Sequence, residues 1–193
     1  FQGSKPPRGH MPVRKEDLGH LAYMARDPVQ RMMSHHQHFN PRLPLRKFLN
    51  SNSSHGCQVA MLTGDNCFHH ELIGHHDQKV KDAVRLVESH SDMPFVGIAE
   101  YWNASIALFH ATFEGDESIR PEELENLHPS HHESVEPGED RVVPKGVADH
   151  VDQAVYDAAL RRFRADAARH ASNARRLRDL QATTRLDGHK ARR

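Results

Sequence analysis

The sequence predicts an α/β fold, a parallel sheet with flanking helices and helix in excess. Three observations carry this. Residues 19–26 form an apolar run that ends in Arg26 and a turn. Residues 95–100 form a second, continuous apolar run, as expected of a strand inside a parallel sheet. Between and beyond them lie segments with apolar residues at the three- and four-residue spacing of amphipathic helices. Two strands alone make no stable sheet. The reading therefore expects partner strands from beyond these residues or from another chain.

The elements follow in order. Phe1-Gln2-Gly3-Ser4 reads as the remnant of a cleavable tag and is set aside. Residues 5–18 are a basic, Pro-containing loop, and 19–26 a strand. Asp27 is a good helix N-cap and Pro28 suits the first helical position, so a helix is expected from there to about His38. Pro41 and Pro44 break it, and 45–50 makes a short helical turn. Residues 51–56 are a Ser/Asn/Gly loop. Asp77 is expected to cap a helix to about His90, with Val80, Ala83, Val84 and Val87 on one face. Asn103 is expected to cap a helix to about Phe113 that buries Ile106, Phe109 and Phe113. Residues 114–147 are an acidic, Pro-rich excursion, with Pro121 starting a short helix over 122–127. A last long helix starts near Val147 and continues past Arg169 as an exposed basic helix. The domain reading is a single domain over 5–165 and a basic helical tail over 166–193.

Composition narrows the function classes. Apolar residues make up 37% of the chain, below the usual ~45–50%. No apolar run approaches the ~20 residues of a membrane span. The net charge is zero, yet residues 161–193 hold eleven Lys/Arg against three Asp/Glu, and residues 114–140 hold ten carboxylates and one Arg. The plain reading is a solvated acidic loop and a basic terminal helix. The functional reading is a basic tail, 161–193, that steers an anionic partner. No feature calls for a specific nucleic acid. Eighteen histidines would make the protein strongly cationic in mild acid. Cys57 and Cys67 are close enough in sequence to form a disulfide in an oxidising compartment, and two reduced thiols fit equally well. Asn52-Ser53-Ser54 and Asn103-Ala104-Ser105 are glycosylation sequons, the second expected to be packed and unused.

The most informative stretch runs from Leu21 through Arg26-Asp27-Pro28-Val29-Gln30-Arg31-Met32-Met33-Ser34. It places an arginine at a strand's C-terminal end beside a helix start, a setting that suits an anion. The stretch resembles the 3′-phosphate motif R-D-P-x-x-R-x-x-S of sulfotransferases that use 3′-phosphoadenosine-5′-phosphosulfate. Further segments resemble that family in the same order. Gly9-His10-Met11-Pro12 is similar to the G-H-[FM]-P element of its carbohydrate-type branch. Residues 56–64 resemble N-x-Q-x-x-x-L-x-G, which implies a helix over 57–63. Residues 95–105 resemble F-V-G-[LI]-x-E-x-x-x-x-S, and Val155-Tyr156-Asp157-Ala158-Ala159 with Phe163 resembles the Y-D-x-A-x-x-x-F run of the terminal helix.

The resemblance implies a sulfotransferase-type, P-loop-like fold and transfer of a sulfuryl group to a hydroxyl, in that branch of a carbohydrate. It implies His10 as the base, Arg26 and Ser34 as the ligands of the cofactor's 3′-phosphate, and Arg31 as a second anchor. The alternative for Arg31 is an ion pair with Asp27. Glu100 is expected to hold a backbone amide or a basic residue, and Tyr101 stands where the family often has Arg or Lys. The resemblance implies the Golgi lumen; without it the cytoplasm fits as well. The family's phosphosulfate loop, P-K-x-[GA]-[TS]-[TS], lies upstream of these motifs and has no counterpart ahead of His10. The likeness thus covers the C-terminal two-thirds of such an enzyme.

Two other classes stand beside it. A sulfotransferase-like chain without that loop is suited to binding an anion, a glycan or a protein without turnover. A metal protein is suggested by His69-His70-Glu71-Leu72-Ile73-Gly74-His75-His76. There His70 and His75 are five apart, about 140° off on a helix, so the H-E-x-x-H pattern fails by one residue. His35, His36 and His38 form a second cluster, read as solvated helix residues, and no metal site is assigned.

Overall fold

In the structure, a computed structural model that describes residues 12–39, 42–51, 55–67, 76–113, 119–124 and 146–190, the first apolar run becomes a four-residue strand, β1 (Ala22–Ala25). The strand is shorter than expected because Gly19 has a φ of 82° and donates its N–H to Asp92 O. The chain turns there, a conformation that costs glycine little. The second run becomes β2 (Phe95–Ile98), whose four residues are all buried. The strands pair in parallel, from Ala22 opposite Phe95 to Ala25 opposite Ile98. Among the described residues they form the whole sheet.

Asp27 caps α1 (Pro28–Phe39) as expected: its Oδ1 accepts the Gln30 N–H at 2.9 Å and its carbonyl the Arg31 N–H at 2.8 Å. After Pro44 comes α2 (Leu45–Leu49). Met32 and Met33 of α1 and Phe48 and Leu49 of α2 make a small separate core. Next is α3 (Cys57–Leu62), and Cys57 is joined to Cys67 by a disulfide. In α4 (His76–Glu88), Asp77 lies inside the first turn rather than before it. The expected face of α4 is turned inward, with Ala83 and Val87 buried and Val80 and Val84 packed against the core.

The helix after β2, α5 (Trp102–Thr112), departs from expectation. Its N-cap is Tyr101, not Asn103. Ser105 and Leu108 are buried, whereas Phe109 and Phe113 are 38% and 49% exposed and Ile106 is half-buried. The cause is the Ser105 hydroxyl. Its Oγ accepts the Ile98 N–H and donates to the Ile98 carbonyl, both at 2.9 Å. That pair of hydrogen bonds to the end of β2 turns the 105/108 face toward the sheet, because residues three apart share a helix face. Phe109 still meets Phe95 edge-on, with ring centroids 5.2 Å apart. A short α6 (Pro121–Leu124) packs on α5.

The last helix, α7 (His150–Lys190), is 41 residues long and runs through residue 165 without a break. Val155, Ala158, Ala159 and Phe163 recur at helical spacing and are buried against β2, α3 and α4. Arg162 fixes the helix laterally. It donates to Val87 O at 2.8 Å, to Met93 O at 2.9 Å and to Asp166 at 3.0 Å. Asp166 also meets His90 and Arg169. Burial raises the Asp166 pKa, but the His90 and Arg162 hydrogen bonds outweigh it and hold the carboxyl below its usual range. Among the described residues no helix is long and apolar enough to cross a membrane.

Arg162→Ala is expected to destabilise the fold by about 2–4 kcal/mol, because it removes the buried donor of the Val87 and Met93 carbonyls and one of the three cationic partners of Asp166. Urea denaturation of the variant against the parent measures this, and a change below about 1 kcal/mol would contradict the assignment.

Candidate functional site

Parallel strands leave their C-terminal ends at one edge of a sheet, where ligands of α/β proteins gather. Here that edge carries Arg26, directly after β1, and Glu100, two residues after β2. Arg26 is half-buried. The sheet ladder ends at the Ala25–Ile98 pair, so Arg26 needs other partners for its backbone. Gln58 of α3 supplies them. Its Nε2 donates to Arg26 O at 3.1 Å, and its Oε1 lies 3.4 Å from Arg26 N. The same Oε1 accepts the Tyr23 hydroxyl at 2.6 Å.

Glu100 performs one of its two expected roles. Its Oε1 accepts the Asp27 N–H at 2.9 Å, and its Oε2 accepts the Tyr156 hydroxyl of α7 at 3.2 Å. Burial, and then the Glu100 charge, push the Tyr156 phenol well above its ordinary pKa. Residues 26 and 27 are thereby tied to α3, to the end of β2 and, through Glu100, to α7.

Beneath this edge lies a buried ionic cluster. Asp149 caps α7, its Oδ1 accepting the Asp152 N–H at 3.1 Å. Its Oδ2 reaches across to the Gly56 N–H at 2.9 Å. Asp152 accepts the N–H groups of Gln58 and Val59, both at 2.9 Å. Two carboxylates of α7 thus satisfy the N–H groups that a helix start leaves open, here those of α3. Gly56 stands at the turn with a φ of 65°, which favours glycine. Arg31 of α1 closes the cluster, with Nη2 3.4 Å from Asp149 and Nε 3.4 Å from Asp152. Desolvation pushes the Asp152 pKa up to about 6, Arg31 opposes it and Asp149 adds to it. Burial likewise pushes the Tyr23 phenol far up, so it remains a donor.

The expected site residues fare differently. Arg26 and Ser34 both belong to the strand–turn–helix unit, and Ser34 is half-buried in α1. Arg31 is paired with Asp149 and Asp152 in place of Asp27. His10 lies outside the described residues, as does the run from His69 to His75. His35 packs edge-on against Phe48, and His36 bonds the Leu43 carbonyl. Among the described residues no group of three His, Cys, Asp or Glu side chains is arranged to hold a metal. No family model, no curated protein and no solved structure matches the chain.

Sequence reasoning missed Asp149, Asp152 and Tyr23, and gave no role to Gln58, the Gln of the N-x-Q-x-x-x-L-x-G segment. A signal existed for the first two: Asp149-His150-Val151-Asp152 at the head of a long helix is a capping pattern. Their second task, capping α3 some ninety residues earlier, has no local signature.

The cluster makes a pH prediction. Asp152 holds its proton more tightly in the folded chain than in the unfolded one. Its contribution to stability is therefore full below its ordinary value of 3.8 and is lost as pH rises through about 6. The difference in unfolding free energy between the parent and Asp152→Asn is expected to fall across that window. A difference that is flat, or that rises, from pH 4 to 7 would refute it.

Proposed function

We propose that the C-terminal edge of the sheet binds the 3′-phosphate of an adenine nucleotide through Arg26 and Ser34. In this reading the chain is a sulfotransferase with a sulfotransferase-type fold. It transfers a sulfuryl group from 3′-phosphoadenosine-5′-phosphosulfate to a hydroxyl, of a carbohydrate by likeness to that branch. The bond between sulfur and the nucleotide's 5′-phosphate oxygen breaks as sulfur bonds the acceptor oxygen. His10 takes the acceptor's proton, and adenosine 3′,5′-bisphosphate leaves.

The observation that carries the reading is the backbone of Arg26. Its N–H and C=O both face Gln58, and the next N–H is held by Glu100. That fixed backbone sets the origin of the Arg26 side chain at the strand edge, and a guanidinium is suited to a bidentate grip on phosphate. The anion reading rests on the side chains of residues 26 and 34 more than on the start of α1, since Asp27 already accepts the Gln30 N–H there. Arg31 acts from beneath, holding α1 on the acidic pair.

Arg26→Ala is expected to weaken adenosine 3′,5′-bisphosphate binding by about 2–4 kcal/mol, since it removes a charge-assisted bidentate contact. Unchanged affinity in a calorimetric titration would remove the assignment. His10→Ala is expected to retain the nucleotide and abolish turnover, and full activity would eliminate it as the base. A chain that binds the bisphosphate yet transfers no sulfuryl group is instead a binding module.

A further inference from the structure

The geometry points to Gln58 as a positioning residue, one that sets the direction of the Arg26 side chain and so the preference for a 3′-phosphate. This inference rests on the anion reading above. At Arg26 the chain has left the sheet, and the neighbouring strand no longer determines where its side chain points. The Gln58 carboxamide takes over that task, facing both the N–H and the carbonyl of one residue. Holding both backbone groups of a residue restrains φ and ψ, and these aim its Cα–Cβ bond.

The carboxamide's own orientation is determined. The Arg26 N–H requires the oxygen of Gln58, and the Tyr23 hydroxyl donates to the oxygen so placed at 2.6 Å. The Arg26 carbonyl requires the nitrogen. Gln58 is only 6% exposed, and its backbone N–H is held by Asp152. A line of hydrogen bonds thus runs from the buried acid of α7 through Gln58 to the residue that meets the ligand. A side chain kept only for packing would need no carboxamide here. Leucine would fill similar volume and leave the Tyr23 hydroxyl and the Arg26 carbonyl unpaired.

The test measures two affinities on the full chain by calorimetry, for adenosine 3′,5′-bisphosphate and for adenosine 5′-monophosphate. Their ratio reports the 3′-phosphate contact, which general loosening of the fold would not change selectively. Gln58→Leu is expected to weaken the bisphosphate about tenfold and the monophosphate less than about twofold. Tyr23→Phe removes only the hydroxyl that holds the carboxamide oxygen, and is expected to lower the ratio about threefold. Should Gln58→Leu fail to fold by thermal melting, Tyr23→Phe and Gln58→Glu carry the test. Glutamate sets an acceptor against the Arg26 carbonyl and is expected to lower the ratio as well. A ratio unchanged in the folded variants overturns the positioning role, as does an equal loss for both nucleotides. Arg26→Ala separates the two levels. If it abolishes the preference while the Gln58 and Tyr23 variants keep it, the positioning role alone fails. If it too leaves the preference intact, the anion reading fails and the inference falls with it.

Discussion

The fold depends on one buried exchange of charge and hydrogen bonds. Asp149 and Asp152 are 1% and 0% exposed. Removing a carboxylate from water costs several kcal/mol, and two side by side repel each other. Four backbone N–H groups and one guanidinium offset that cost. Three of those N–H groups begin α3, which in turn would be left with unpaired donors in the interior. Neither partner is stable there alone. Their union brings residues 56–59, 149–152 and 31, distant in sequence, to one point.

What lies above the cluster inherits its position. Once Asp152 has located the start of α3, Gln58 faces the end of β1, and Arg26 is held where the sheet stops. From the same helix as the two aspartates, Tyr156 steadies Glu100, which holds Asp27. The upper part of α7 thus serves the strand edge by two routes. Further along, Arg162 pins it to the end of α4 and to the turn before β2. A long helix in contact with the sheet at both levels compensates for the small sheet, since two strands would not hold together unaided.

Local chemistry was legible in the sequence, and distant pairing was not. Asp27 and Pro28 announced the start of α1 because a cap and a first-turn proline act within four residues. The apolar run over 95–100 announced a buried strand for a similar reason. The inward face of α5 was misjudged, because phenylalanine outweighs serine on any hydropathy reading. A serine hydroxyl bonded twice to Ile98 decides that face instead. Cys57 and Cys67 were open between thiols and a disulfide until the fold brought them together. At the candidate site, Arg26 stood out through its place after a strand. Gln58 was matched to a motif without a role and Asp152 was not singled out, since their tasks are defined by residues 32 and 94 positions away.

The two arginines of the strand–turn–helix unit illustrate how burial divides labour between like residues. With both carboxylates ionised, the cluster around Arg31 carries one net negative charge. A phosphate brought to Arg31 would meet that charge at close range in a poorly screened setting, where it repels strongly. The cation on which the fold relies is thus a poor ligand for an anion. Arg26 sits at the strand edge, with its backbone bonded to neutral Gln58 and Glu100 accepting from the next amide. Two carboxylates stand nearby, those of Asp27 and Glu100, of which the first caps α1 and the second accepts the Tyr156 hydroxyl. The acidic pair thus commits Arg31 to the interior, and the proposed phosphate contact falls to Arg26 at the strand edge.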